Sequence, residues 1–168
     1  MRRGALALVG LLLVAVGLGI VLRADNGLVR ERALVDAIPV EVVRPAGEGP
    51  FPAVVVAHGF SGSSRLMDGI GIALARAGWV AAMPDLSGHG GNLAGLDSAV
   101  LADEVLAVAD WLAGRPDVTD RALLGHSMGA GASLDYATRD SGIDAVVLIS
   151  GGWRLDGPYR PPNALFLY

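Results

Sequence analysis

Residues 4–22 form an unbroken apolar run, and beyond it apolar residues recur in short stretches separated by glycine- and proline-rich turns. Alternating and β-branched apolar residues over 30–35 and 38–44, split by Asp36-Ala37, predict an antiparallel strand pair leading into the domain. A turn-rich connector, 45–52, leads to Ala53-Val54-Val55-Val56-Ala57, the continuous apolar run expected of a strand buried on both faces. Residues 65–77 carry helical periodicity and end at Gly78, a residue suited to the position just past a helix. The alternation then repeats: a strand over 79–83 stopped by Pro84, a helix over 98–113, a strand over 121–124, a helix over 128–138 and a buried strand over 145–149. One more strand begins at 163. On the helix 98–113, Val100, Leu101, Val105, Leu106, Val108 and Leu112 are expected to face the sheet, with Asp103, Glu104 and Asp110 outward. Strand and helix in regular alternation predict an α/β fold, a mainly parallel sheet with helices on both faces.

The first run stands apart from this alternation. Between Gly4 and Leu22 there is no charge and no polar face, and Arg2 and Arg3 precede it. As a helix it would span about 28 Å, close to the hydrocarbon thickness of a bilayer. The run exceeds an ordinary signal-peptide core, and Leu22-Arg23-Ala24 is a poor cleavage site, so a transmembrane anchor is the expected reading and a cleaved signal sequence its alternative. Either places the remainder outside the cytoplasm. The chain therefore divides into an N-terminal segment, 1–23, and one domain, 24–168.

Composition narrows the chemistry. The thirteen basic residues are all arginine, set against seventeen acids for a net charge of −4, and no basic cluster exists, so nucleic acid is not an expected partner. Without cysteine there are no disulfides, no thiolate metal sites, no cysteine nucleophile and no lipidated cysteine. Neither a metal site nor a cofactor is expected, and nothing identifies a protein partner.

Candidate chemistry lies in three turns. Gly125-His126-Ser127-Met128-Gly129 joins a buried strand to a helix, the setting in which a sharp turn lifts a serine clear of the sheet. Glycines two before and two after the serine relieve crowding there, and Ala130, Gly131 and Ala132 let the following helix pack closely. Ser127 is the candidate nucleophile. Acyl transfer also needs two N–H donors aimed at a developing oxyanion. Met128, after the serine, supplies one; Phe60, in the turn His58-Gly59-Phe60 after the earlier strand, is placed to supply the other. Gly59 permits close backbone approach, and His58, which precedes the serine in the chain and sits at a strand end, reads as shaping its turn. The third turn is Asp85-Leu86-Ser87-Gly88-His89-Gly90, in which Asp85 and His89 read as loop-shaping residues.

With these three motifs in this order, the chain from Ile38 onward resembles the α/β-hydrolase superfamily. The D-x-x-G-H-G turn resembles its monoglyceride-lipase, serine-aminopeptidase and dienelactone-hydrolase-like branches. The resemblance implies a serine nucleophile at Ser127 with oxyanion donors at Phe60 and Met128. Serine in place of the cysteine typical of the dienelactone branch favours an ester over a lactone, and the expected partner is a small-molecule ester substrate. In this fold the triad acid and then a histidine follow the nucleophile, yet no histidine follows His126. Asp135, Asp140 and Asp144 stand on or just beyond the following helix, and Asp156 is the acid candidate in a minority arrangement. The sequence is therefore expected to be truncated, with acid and base beyond Tyr168 and little activity in residues 1–168 alone. The link 150–162 is too rich in proline and glycine for a helical cap, which leaves an open site that Trp153 and Tyr159 either line or merely flank. The expected function is a membrane-anchored serine hydrolase of carboxylic esters, or of acyl transfer to another acceptor; the alternative is a non-catalytic binding or scaffold protein of the same fold.

Overall fold

A computed structural model describes residues 2–23, 25–139, 142–151 and 163–167. Helix α1 (Arg2–Leu22) is followed by strands β1 (Leu28–Val35), β2 (Ile38–Pro45) and β3 (Phe51–Ala57). Then come α2 (Ser64–Arg76), β4 (Val80–Pro84), α3 (Leu101–Ala113), β5 (Val118–His126), α4 (Met128–Ala137), β6 (Ala145–Ile149) and β7 (Ala164–Leu167). Seven strands form one sheet in the order β1-β2-β4-β3-β5-β6-β7. β1 and β2 are antiparallel, β2 runs antiparallel to β4, and every later pairing is parallel. The mixed sheet with flanking helices is the α/β architecture its sequence pattern predicts.

The core divides by strand parity. Ala53, Val55 and Ala57 of β3 point to the face covered by α3 and α4, where Val105, Val108, Leu112, Ala130 and Leu134 meet Val42, Leu123 and Leu148. Val54 and Val56 point to the other face, where Met67 and Ala75 of α2 close over Val43, Ala81 and Met83. A strand buried on both sides has no polar positions to offer, which is why β3 reads as a continuous apolar run.

Three details depart from expectation. α3 begins at Leu101 rather than 98, leaving Val100 exposed in the preceding turn, and Leu106 is only half-buried while Ala102 and Ala109 are buried instead. The helix therefore meets the sheet through smaller residues than its large side chains suggest. β5 starts three residues earlier, at Val118, because β3 extends back to pair with it through Phe51. Gly131 faces open space, with nothing near the position of a Cβ, so of the three small residues 130–132 only Ala130 and Ala132 are buried in the packing of α4.

The strand starts opposite the candidate turns are tied by charge. Glu31 of β1 accepts from Arg44 of β2 and, at 2.9 Å, from Arg115 after α3; Arg115 also forks onto Asp117 at 2.8 and 2.9 Å. The Arg115 guanidinium lies 5.1 Å from the Trp111 ring centroid, and the Asp117 carbonyl accepts from the Phe51 N–H at 2.8 Å. Burial alone would raise the Glu31 carboxyl, but hydrogen bonds and charge from Arg115 and Arg44 outweigh it and hold the group below its usual range. Asp117 is likewise held low, chiefly by its hydrogen bonds from Arg115. Carboxyls depressed in the folded state contribute stability that is complete above their ordinary values of 4.5 and 3.8 and is lost as pH falls through the folded ones. Arg115→Ala should therefore cost about 2 kcal/mol near neutral pH, between an exposed pair and a buried one. Urea unfolding at pH 7 and pH 3 measures it: the gap between variant and wild type should narrow in acid.

α1 differs from the rest of the chain. Gly4–Val21 has a mean hydropathy of 2.7 and is exposed along its length, with the length and composition of either a membrane span or a signal sequence.

Candidate functional site

The parallel strands β3, β4 and β5 all end on the same side of the sheet, at Ala57, Pro84 and His126. The three turns singled out in the sequence follow those ends, so chain segments far apart in sequence converge at one edge, where open α/β sheets place their sites.

Ser127 is the single residue between β5 and α4, at φ 51° and ψ −109°. A side chain at positive φ is strained. The backbone around it is held: the Ser127 N–H donates to the Ile149 carbonyl of β6 at 2.8 Å, while its carbonyl accepts from Ala130 and Gly131 at 3.1 and 3.2 Å. The side chain stands exposed at the crest. Both flanking glycines are required. A Cβ on Gly125 would collide with the backbone of Gly129 and Ala130, and one on Gly129 with the backbone of Ala57 and His58.

The β3 turn lies against this crest. The Gly129 N–H donates to the His58 carbonyl at 3.0 Å, and a Cβ on Gly59 would sit 2.7 Å from His126 Nδ1 and 3.2 Å from Ser127 Cβ. Among the described residues, the Phe60 and Met128 N–H groups have no backbone acceptor. Met128 opens α4, so its N–H is also one of the free donors at a helix start.

His58 is fully buried; its Nδ1 faces the Gly59 carbonyl at 2.8 Å, and its Nε2 accepts from the Leu86 N–H at 3.1 Å. That pattern fixes a neutral ring with the proton on Nδ1. Burial pushes its pKa down, in keeping with the neutral form. In the β4 turn, Asp85 caps α2 from a distance: its carboxylate accepts from the Ser64 N–H at 2.6 Å and the Gly91 N–H at 2.7 Å. Gly90, at φ 54°, leaves the room this carboxylate occupies. The ring nitrogens of His89 face the carbonyls of Ser87, at 2.9 Å, and Phe60. His126 has a buried Nδ1 without a partner.

Sequence reasoning missed Glu104. Expected to face outward on α3, it is half-buried and accepts from the Ser87 N–H at 2.9 Å, the Ser87 hydroxyl and the Asn92 amide at 3.3 Å, fastening the β4 turn to the helix. A helical charge expected to face solvent carries no mark in a single sequence of such a task. A cleft of about 460 Å³ opens on the far side of the Asp85 turn among Arg30, Arg32, Arg65 and Asp68; Ser127 is not part of its lining. No group of three metal-ligating side chains occurs among the described residues. Asp156, the acid candidate, lies outside the described residues, as do Asp140, Trp153 and Tyr159.

The family model described as serine aminopeptidase, S33, matches residues 48–167. Among curated proteins, the chain is 39% identical over 69 residues to esterase YjfP of Escherichia coli, covering 40% of this chain and 27% of that protein. It is 32% identical over 115 residues to a bis(hydroxyethyl) terephthalate hydrolase of Streptomyces coelicolor, covering 65% of this chain and 35% of that protein. The chain thus spans about a third of the length of these relatives. Among solved structures, 2,6-dihydroxy-pseudo-oxynicotine hydrolase superposes with a TM-score of 0.65 at 25% identity, over 76% of this chain and 38% of that one. The α/β hydrolase GrgF from Penicillium sp. sh18 gives 0.62 at 18% identity, over 74% and 46%.

Proposed function

Because the chain belongs to the serine aminopeptidase, S33, family of α/β hydrolases, we propose that it is a serine hydrolase of carboxylic esters working through an acyl-enzyme on Ser127. The single observation that carries this reading is the strained, exposed Ser127 crest packed against the Gly59 turn, with the Phe60 and Met128 N–H groups free of backbone acceptors among the described residues. Ser127 Oγ attacks the ester carbonyl carbon as a base removes its proton. The tetrahedral oxyanion is held by the Phe60 and Met128 N–H groups, and the leaving alcohol takes the proton from the base. Water then attacks the acyl-enzyme and releases the acid. His58 bonds through both ring nitrogens and the ring of His89 faces two backbone carbonyls, so neither is offered as the base. The relatives named as an esterase and a terephthalate-ester hydrolase favour esters over other acyl compounds. α1 serves as an N-terminal anchor that holds the domain on the extracytoplasmic side of a membrane.

The use of His58 and His89 in turn contacts is also what a non-catalytic protein of this fold would show. Hydrolysis of p-nitrophenyl esters, acetate through octanoate, by the full-length gene product separates the two. Turnover that phenylmethylsulfonyl fluoride abolishes is the expected result; a folded protein that turns over none of the series is a binding protein.

A further inference from the structure

The turns after β3 and β4 are joined by a reciprocal pair of histidines. His58, from the first turn, accepts from the Leu86 N–H of the second at 3.1 Å. His89, from the second, bonds through Nε2 to the Phe60 carbonyl of the first, with its Nδ1 2.9 Å from its own turn at Ser87 O. The two imidazole centroids are 5.0 Å apart, and the Phe60 ring meets His89 edge-on at 5.6 Å. Three successive carbonyls of the first turn are therefore each held by a different partner. Gly129 N–H takes that of His58, Gly62 N–H and the His58 ring take that of Gly59, and His89 takes that of Phe60. The Phe60 N–H shares a peptide plane with the Gly59 carbonyl, which Gly62 and His58 hold; the Phe60 carbonyl belongs to the next plane, and His89, by holding it, keeps the chain from turning about the Phe60 Cα. Phe60 itself is 62% exposed, so its own side chain does little to hold it.

We propose that His89 is a positioning residue for the reaction: by binding the Phe60 carbonyl through Nε2 it holds the turn in the conformation that presents the Phe60 N–H to the oxyanion. This rests on the assignment of Ser127 and Phe60 made above. The Phe60 N–H meets full negative charge only in the transition state, so its misalignment lowers kcat and leaves KM nearly unchanged. The two ring nitrogens are separable by substitution. Glutamine places an amide donor where Nε2 stands and asparagine places one where Nδ1 stands.

The test is kcat and KM for p-nitrophenyl butyrate, with melting temperatures, in full-length His89→Gln, His89→Asn and His89→Ala proteins and in Ser127→Ala. His89→Gln should stay within about threefold of wild type, while His89→Asn and His89→Ala lose about 10- to 100-fold in kcat, part of what removal of an oxyanion donor costs. If Gln and Asn lose equally, if the losses follow melting temperature, or if KM moves in place of kcat, His89 merely holds the loop and the inference fails. Should His89→Ala not fold, the contrast between Gln and Asn still decides. Retained hydrolysis in Ser127→Ala overturns the functional reading and this inference with it; loss there, without a split between Gln and Asn, overturns this inference alone.

Discussion

Exchange of Ser127 for glycine should abolish ester hydrolysis and raise the melting temperature of the same protein. Ser127 sits at φ 51° and ψ −109°, a conformation that costs a residue with a Cβ about 1–3 kcal/mol and costs glycine little. Relief of part of that strain should stabilise the glycine variant by about 1 kcal/mol, or about 2–4 °C for a domain of this size. Loss of the nucleophile should remove at least about 10⁴-fold from kcat. Ser127→Ala provides the comparison, since alanine removes the hydroxyl but retains a Cβ at positive φ. It should be as inactive and no more stable than wild type. Calorimetry of the three proteins beside the ester assay reads both effects, and a glycine variant that loses stability would show that the turn is not under strain.

The second large effect lies two residues along. A Cβ on Gly129 would meet the backbone of Ala57 and His58, and backbone cannot move aside as the end of a flexible side chain can. Gly129→Ala must separate α4 from the β3 turn and break the Gly129 N–H bond to the His58 carbonyl. We expect a loss of about 3 kcal/mol or more, in the range of an overpacked core combined with a lost buried hydrogen bond. Gly131, two residues further along the same helix, has nothing near its Cβ position. Gly131→Ala should gain up to about 1 kcal/mol through helix propensity. Urea denaturation of the pair tests the packing account, which opposite signs support and equal losses contradict.

That contrast shows what the sequence makes legible. The Ser127 turn could be read because its constraints are local: a buried strand, two flanking glycines and a helix start lie within a few residues. β3 could be read because burial on both faces leaves a continuous apolar run. Strand order could not, since the placing of β4 between β2 and β3 is decided by how α2 and α3 pack, and no single segment records it. Glu104 was misplaced for a related reason, because its partners Ser87 and Asn92 come from a turn more than ten residues away. Gly131 was credited with a packing role that belongs to Ala130 and Ala132, as glycine looks the same in sequence whether it faces a neighbour or open space. His58 and His89 read as turn residues, and each makes its contacts with backbone of the turns. That each bonds the other's turn emerges only when β3 and β4 lie side by side.

The central claim is that Ser127 is the nucleophile, and covalent capture tests it most directly. The full-length protein is treated with a fluorophosphonate, digested with trypsin and mapped by mass spectrometry; cleavage after Arg121 and Arg139 isolates residues 122–139 with Ser127 inside. The account predicts one phosphonyl adduct, on Ser127, which disappears when the protein is unfolded before treatment. An adduct on another residue, or a folded protein that takes up none, would contradict it.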